Sequence, residues 1–273
     1  MQTDKIMTDA GTGAIIANAD CRDVIPLIPN NSIDLLLIDP PYSSGGAFRG
    51  DRNLDTRKKY TDDDFNGAAR FDNFTGDNMD PRSFTYFLEH IFYNMRPKMT
   101  PGAIAACFID WRQLPCVTDA IQSAGFVWRG ILVWNKGVSR NHPGRYRNDC
   151  EYLVWGTNGP RDFEKYRGLP AIAGCHNVKS VQTREKLHQT QKPVELLREL
   201  VKIADKGGTV CDLFMGSGST GEAAIAEGYN FIGCELSETY YKTSQERLRN
   251  FVKNANYTNA EKNDNIETTQ KQE

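Results

Sequence analysis

The sequence predicts an α/β fold: a doubly wound, mostly parallel sheet with helices on both faces. Three observations carry that expectation. Short apolar runs alternate with helical patterns along most of the 273 residues, the signature of strand–helix–strand units. The run IDLLLID (33–39) is apolar almost without interruption, as a strand buried on both faces must be. A Gly/Ser turn separates a strand pattern from a helical one at 212–221, and sheets of this kind gather ligands at their C-terminal strand ends.

Taken in order, GAIIANAD (13–20) reads as the first strand and 33–39 as the second. Residues 43–80 are polar, rich in Gly, Asp and Asn, and aperiodic. A loop that long is unusual unless it is functional or mobile, so a mobile loop is expected. Pro81 opens a helix reaching about Arg96, with Phe84, Phe87, Leu88 and Ile91 on one face. GAIAACFI (102–109) is a buried strand, and 112–124 is a helix stopped by Gly125. FVWRGILVWNK (126–136) and CEYLVWG (150–156) are strands flanking a basic loop, and 157–187 shows no strong period. A helix over 193–204, the strand GTVCDLF (208–214), a helix from about Thr220, the strand NFIGCEL (230–236) and a helix over 238–252 complete one domain, 1–252. From Lys253 the tail is Asn, Lys, Glu and Thr with almost no apolar residue, so a disordered polar tail is expected over 253–273.

Composition narrows the function. The net charge is −2, so any surface for a polyanion must be local. Seven cysteines, an odd number with no CxxC pair, fit neither a disulfide framework nor a zinc ribbon. The expectation is a reducing, cytoplasmic setting and no metal. MQTDKIMTDAGTG has no apolar core of the signal-peptide kind, and no apolar run approaches the ~18 residues of a membrane span.

Three segments carry chemistry. Asp39-Pro40-Pro41-Tyr42 follows the strand 33–38 directly. It sets a carboxylate, a rigid turn and an aromatic ring at a C-terminal strand end, because the prolines fix φ. Such a turn offers two acceptors beside a flat ring, which matches an aminated base; by itself it reads equally well as a strand ending in a Pro-rich turn. Asp212-Leu-Phe-Met-Gly-Ser-Gly-Ser-Thr-Gly221 follows a strand and opens a helix, a place suited to carboxylate or phosphate. Glu235 ends the next strand, where an acid commonly takes ribose hydroxyls. No P-loop lysine is present, but Gly216, Gly218 and Gly221 satisfy GxGxxG. The segment alone therefore fits a nicotinamide cofactor or another adenosine-bearing ligand. His188-Gln-Thr-Gln-Lys-Pro193 precedes a helix, and alone reads as a helix N-terminus.

Together, DPPY, HQTQKPVELL and DLFMGSGSTG followed by GCEL resemble the DNA amino-methyltransferases of the β arrangement, in which the catalytic segment precedes the cofactor segment. The likeness covers roughly residues 14–250. Methyltransferases acting on RNA guanine or protein glutamine carry a related tetrapeptide after their Gly-rich loop. Here the loop's Asp212 comes 173 residues after Asp39.

The resemblance implies S-adenosylmethionine as cofactor and a sheet of the methyltransferase type. It implies that Phe214, Gly216 and Gly218, with Ser217 between them, border the methionine part, with Asp212 and Thr220 at the same loop. Glu235 would bind the ribose. Thr190 and Lys192 would meet the cofactor carboxylate, and Asp39 would touch the cofactor as well as the base. Asp20-Cys21 matches an element near the adenine, and reads nearly as well as a helix N-cap. The implied reaction is methylation of adenine N6 in double-stranded DNA. The Asp39 carboxylate and the Pro40 carbonyl pull the amino nitrogen toward tetrahedral geometry for direct in-line displacement, while the extruded base stacks on Tyr42. Lys136, Arg140, Arg145 and Arg147 form the candidate DNA-contacting loop, and 157–187 sits where the family carries its target-recognition insert. Arg57-Lys58-Lys59 is a weaker candidate for DNA contact. A homodimer and a restriction endonuclease partner are compatible with the likeness. Cytosine N4 is the rival target, disfavoured by Asp39 where such enzymes more often have Ser or Thr. A non-catalytic DNA-binding protein and a nicotinamide oxidoreductase are the more distant rivals.

Overall fold

The computed structural model describes residues 6–9, 13–42, 79–137, 143–181 and 191–270. Among them, nine strands form one sheet: β1 (Ile6–Asp9), β2 (Ala14–Asn18), β3 (Ile33–Ile38), β4 (Met99–Ile109), β5 (Val127–Asn135), β6 (Cys150–Thr157), β7 (Cys175–Asn177), β8 (Thr209–Asp212) and β9 (Asn230–Glu235), in the order β1-β2-β9-β8-β3-β4-β6-β5-β7. The run β2-β9-β8-β3-β4 is parallel throughout. β6 lies antiparallel between β4 and β5, β1 pairs antiparallel with β2, and β7 runs parallel to β5. The sheet is thus mostly parallel, as predicted.

Alternation along the central strands explains the two faces. Ile33, Leu36 and Ile38 of β3, with Ala103, Ala105, Cys107 and Ile109 of β4, point to one apolar cluster. That face is covered by α1 (Cys21–Val24), α2 (Pro81–Met95) and α3 (Leu114–Ser123). Leu35 and Leu37, with Ile104, Ala106 and Phe108, point to the other cluster. α4 (Val194–Val201), α5 (Ser219–Ala226) and α6 (Glu238–Gln270) cover it. Each central strand is therefore buried on both sides, the reason its sequence is apolar without a break. α2 starts where its capping chemistry dictates: Asp80 accepts from the Arg82 and Ser83 amides, and Pro81 fills the first turn.

Three features depart from the sequence expectation. β1 and β7, four and three residues long, are too short to show a period. α6 continues to Gln270, where disorder is expected from Lys253. No Pro or Gly occurs between Glu238 and Glu273, and Lys, Glu, Gln and Ala in that stretch favour helix.

The stretch 157–187 also divides. Arg161 donates to the carbonyls of Gly102 (2.8 Å) and Ile203 (3.1 Å) and stacks on Tyr166, whose hydroxyl reaches Asp205 at 2.7 Å. These contacts pin 158–169 at the edge where β4 begins, opposite the end that carries Asp39. Only at β7 does the chain run back toward Asp39, and 182–190 lie outside the described residues. The expected mobile loop also falls outside them, over 43–78. No described helix is long and apolar enough to cross a membrane.

Candidate active site

The C-terminal ends of the parallel strands form one working edge. Asp39 follows β3, Asp110 follows β4, Asp212 ends β8 and Glu235 ends β9. Because β6 is antiparallel, its first residues, Cys150 and Glu151, lie at the same edge, beside Asn135 and Lys136 at the end of β5. Connections leave β8 toward β9 on one face and β3 toward β4 on the other. The crevice between Asp212 and Asp39 is therefore a topological switch point, the usual ligand position in such sheets.

In the half around β8 and β9, backbone amides do the binding. Gly216 and Gly218 adopt φ of 52° and 81°, a left-handed region open to glycine at little cost. A Cβ on Gly218 would lie 2.9 Å from Ser244 Cβ, so the loop is seated directly on α6. The Glu235 carboxylate accepts from the Gly216 amide (2.9 Å) and the Ser237 amide (2.8 Å). Asp212 accepts from the Phe214 amide at 3.0 Å and bonds the Thr220 side chain. Burial pushes the Asp212 carboxyl up to about 7 against these bonds, and raises Glu235 as well. Phe214 meets Phe87 with ring centroids 6.0 Å apart. Ser217 turns its hydroxyl to Arg247 (3.3 Å), a residue of α6 whose other arm holds Glu222. Asp20 caps α1 through the Arg22 amide and pairs with the Arg22 guanidinium at 2.6 Å. Cys21 is buried, its thiol pushed up to about 12 by desolvation. Buried acids with no ammonium partner among the described residues, next to a bare-backbone turn, fit a cationic nucleoside ligand such as S-adenosylmethionine.

In the half around β3, lysines neutralise the acids. Lys192, buried, donates to Asp39 Oδ2 at 2.6 Å and sits 3.4 Å from Glu151. Lys136 donates to Glu151 at 2.9 Å, and the Tyr42 hydroxyl reaches the same carboxylate at 3.4 Å. The Lys192 ammonium also lies 5.0 Å from the Phe108 ring and 5.9 Å from the Tyr42 ring, within cation–π range. Burial would lower Lys192, but Asp39 and Glu151 hold it above its usual value. Burial would raise Glu151, but Lys192 and Lys136 hold it below the usual carboxylate range. For Asp39, burial prevails over Lys192 and its carboxyl is pushed up. Asp39 Oδ1 is buried and has no hydrogen-bond partner among the described residues.

The sequence-derived residues therefore fall into distinct places. Asp39, Tyr42 and Lys192 come together, and so do Asp212, Phe214, Gly216, Ser217, Gly218, Thr220 and Glu235. Lys192 was expected on a cofactor carboxylate; it sits on Asp39 and Glu151, because two buried acids there need a counter-charge. Lys136 was expected on DNA phosphate; its ammonium is turned inward to Glu151. Arg147 pairs with Asp149 at 2.9 Å, an acid just past the basic run. Arg145 and Tyr146 stand exposed, Tyr146 fully so. Arg140, Thr190 and Arg57-Lys58-Lys59 lie outside the described residues. Glu151 was missed: its signal was a lone acid in the apolar run CEYLVWG, at the end that meets the basic loop.

Fold and site together fit an α/β transferase that holds a nucleoside cofactor at the ends of its parallel strands. Residues 33–246 match the DNA methylase family of N6 and N4 methyltransferases, and the chain belongs to that family. S-adenosylmethionine is the family's methyl donor. The type II methyltransferase M.HinfI of Haemophilus influenzae is 26% identical over 265 residues, 88% of this chain and 70% of that protein. M1.HpyAVI, solved as a complex with S-adenosylmethionine, superposes with a TM-score of 0.61 at 22% identity, over 85% of this chain and 98% of that one. The cytosine-N4-specific PvuII DNA methyltransferase gives a TM-score of 0.62 at 14% identity, over 88% and 91%. These two structures share the fold.

Proposed function

We propose that this DNA methyltransferase modifies N6 of adenine in double-stranded DNA. One observation carries the reading: Asp39, next to Pro40, has one carboxylate oxygen tied to Lys192 and the other buried without a partner among the described residues. A buried acceptor left open is costly and is made good by an incoming donor, here one hydrogen of a base amino group. The Pro40 carbonyl takes the second hydrogen. With both held, the nitrogen lone pair is drawn out of conjugation and aimed for in-line attack. S-adenosylmethionine supplies the electrophilic methyl group. Glu235 holds the ribose hydroxyls, the turn from Phe214 to Gly218 borders the methionine part, and Asp212 and Thr220 brace that turn. Asp20 and Cys21 flank the adenine side. Tyr42 stacks the extruded base.

Cytosine N4 presents the same two hydrogens, and the shared fold of the cytosine-N4-specific PvuII enzyme supports it as the second reading. Arg145 and Arg147, with Arg140, approach phosphate. The kinship to a type II methyltransferase supports pairing with a restriction endonuclease, and a homodimer is the assembly to look for by solution mass. Mass spectrometry of nucleosides from DNA incubated with the chain and S-adenosylmethionine tests the target: N6-methyladenine is expected, N4-methylcytosine selects the second reading, and neither product overturns both.

A further inference from the structure

Glu151 has no part in the chemistry described above, yet it is the hub of the base half. It stands on β6 and reaches residues from three other segments: Lys136 after β5, Lys192 before α4, and Tyr42 after β3. Charges then alternate along one line, Lys136, Glu151, Lys192 and Asp39, summing to zero, with Lys192 buried and the other three partly so. Lys192 is divided between two acids, 2.6 Å from Asp39 and 3.4 Å from Glu151. An ammonium has three donors. With Glu151 gone, a buried Lys192 left short of counter-charge would turn wholly to Asp39 and could cover both its oxygens.

We infer that Glu151 is a positioning residue for methyl transfer: it seats the Tyr42 ring and draws Lys192 aside, so that one oxygen of Asp39 stays open to the base amino group. The inference rests on the reading of Asp39 as the acceptor of that amino group. An ion pair that merely fastened β5, β6 and the segment before α4 would not need the Tyr42 contact, nor would it share its lysine with Asp39.

The test uses the full chain and unmethylated plasmid DNA, with enzyme in excess, and follows the single-turnover rate from pH 5 to 9. Glu151→Gln keeps volume and an acceptor for Tyr42 but loses the charge. The rate is expected to fall by about 10²-fold, the usual cost of a small misplacement, with S-adenosylmethionine affinity by calorimetry nearly unchanged. The acid limb of the profile reports Asp39, which is faced by Lys192, Glu151, Cys107 and Asp212. Glu151 helps push the Asp39 carboxyl up, so its neutralisation moves that limb to lower pH. Glu151→Asp restores the charge and shortens the reach, so the limb returns to its wild-type place while the rate stays reduced. A wild-type rate in either variant overturns the inference. So does a rate loss in Glu151→Gln with an unmoved acid limb, which would make Glu151 a structural fastener. A wild-type chain that methylates no amino nitrogen sinks the site reading itself, an outcome distinct from the others.

Discussion

The two halves of the working edge treat buried acids in opposite ways. Around β8 and β9, Asp212 and Glu235 are bonded to backbone amides and face no ammonium among the described residues, so burial raises both. Around β3 and β6, Asp39 and Glu151 are interleaved with Lys192 and Lys136. One half is left electrostatically short of a cation and the other is already balanced. The difference accords with the proposed reading, in which the first half takes a ligand that brings positive charge and the second a neutral base that needs an acceptor and a flat partner.

The comparison breaks most decisively at Asp39. Asp39→Asn keeps shape but loses the charge that stabilises positive character growing on the nitrogen. Single-turnover methylation should drop by roughly 10²–10³ while a folded protein still binds DNA. A near wild-type rate would remove Asp39 from the mechanism.

Glu235→Ala should be next. It deletes the anchor of the Gly216 amide together with the proposed ribose contacts, each charge-assisted bond worth about 1.5–3 kcal/mol. S-adenosylmethionine binding measured by calorimetry should weaken accordingly. A nicotinamide dinucleotide should not bind with comparable affinity in wild type or variant.

Asp212 sharpens the contrast through pH. Burial pushes its carboxyl up to about 7 in the folded chain, from about 4 for an ordinary aspartate, so the folded state holds a proton that the unfolded state has released between those values. Stability attributable to this group therefore falls as pH rises from about 4 to 7 and is level beyond. Asp212→Asn should gain on wild type in urea unfolding across that window, by up to about 1.4 kcal/mol per pH unit. An advantage independent of pH would show that the proton is not held there.

The smallest effect concerns the exposed loop. Replacing Arg145 and Arg147, together with Arg140, by Ala should weaken binding to every DNA sequence and reduce the salt slope by about one per lost phosphate contact. The pairing of Arg147 with Asp149 makes Arg145 the stronger contributor. An unaltered slope returns the loop to ordinary solvated surface.

How much of this could be read from the sequence follows the same division. The turn from Asp212 to Gly221 is local: its glycines, its helix start and the acid at Glu235 all fall within two neighbouring strands, so the chain order displays it. The base half is assembled from residues near 39, 136, 151 and 192, brought together only when β5 and β6 fold antiparallel against β4. Asp39 and Tyr42 were visible because prolines mark them. Glu151 was not, since a single acid in a strand pattern looks like an ordinary polar terminus. Lys136 stands in the basic run by sequence, while its partner in space, Glu151, lies 15 residues away. The stretch 157–187 is aperiodic, so its sequence gives no clue to the fastening by Arg161, Tyr166 and Asp205.

The seat of the glycine turn on α6 ties remote parts of the chain together. Gly218 abuts Ser244, and Arg247 grips Ser217, Ser219 and Glu222. Tyr240 and Leu248 anchor the same helix in the core. Turn and helix must then loosen or tighten as a unit. Amide hydrogens between Tyr240 and Leu248 should exchange more slowly once the turn is occupied, so the helix serves as a remote gauge of what the turn holds.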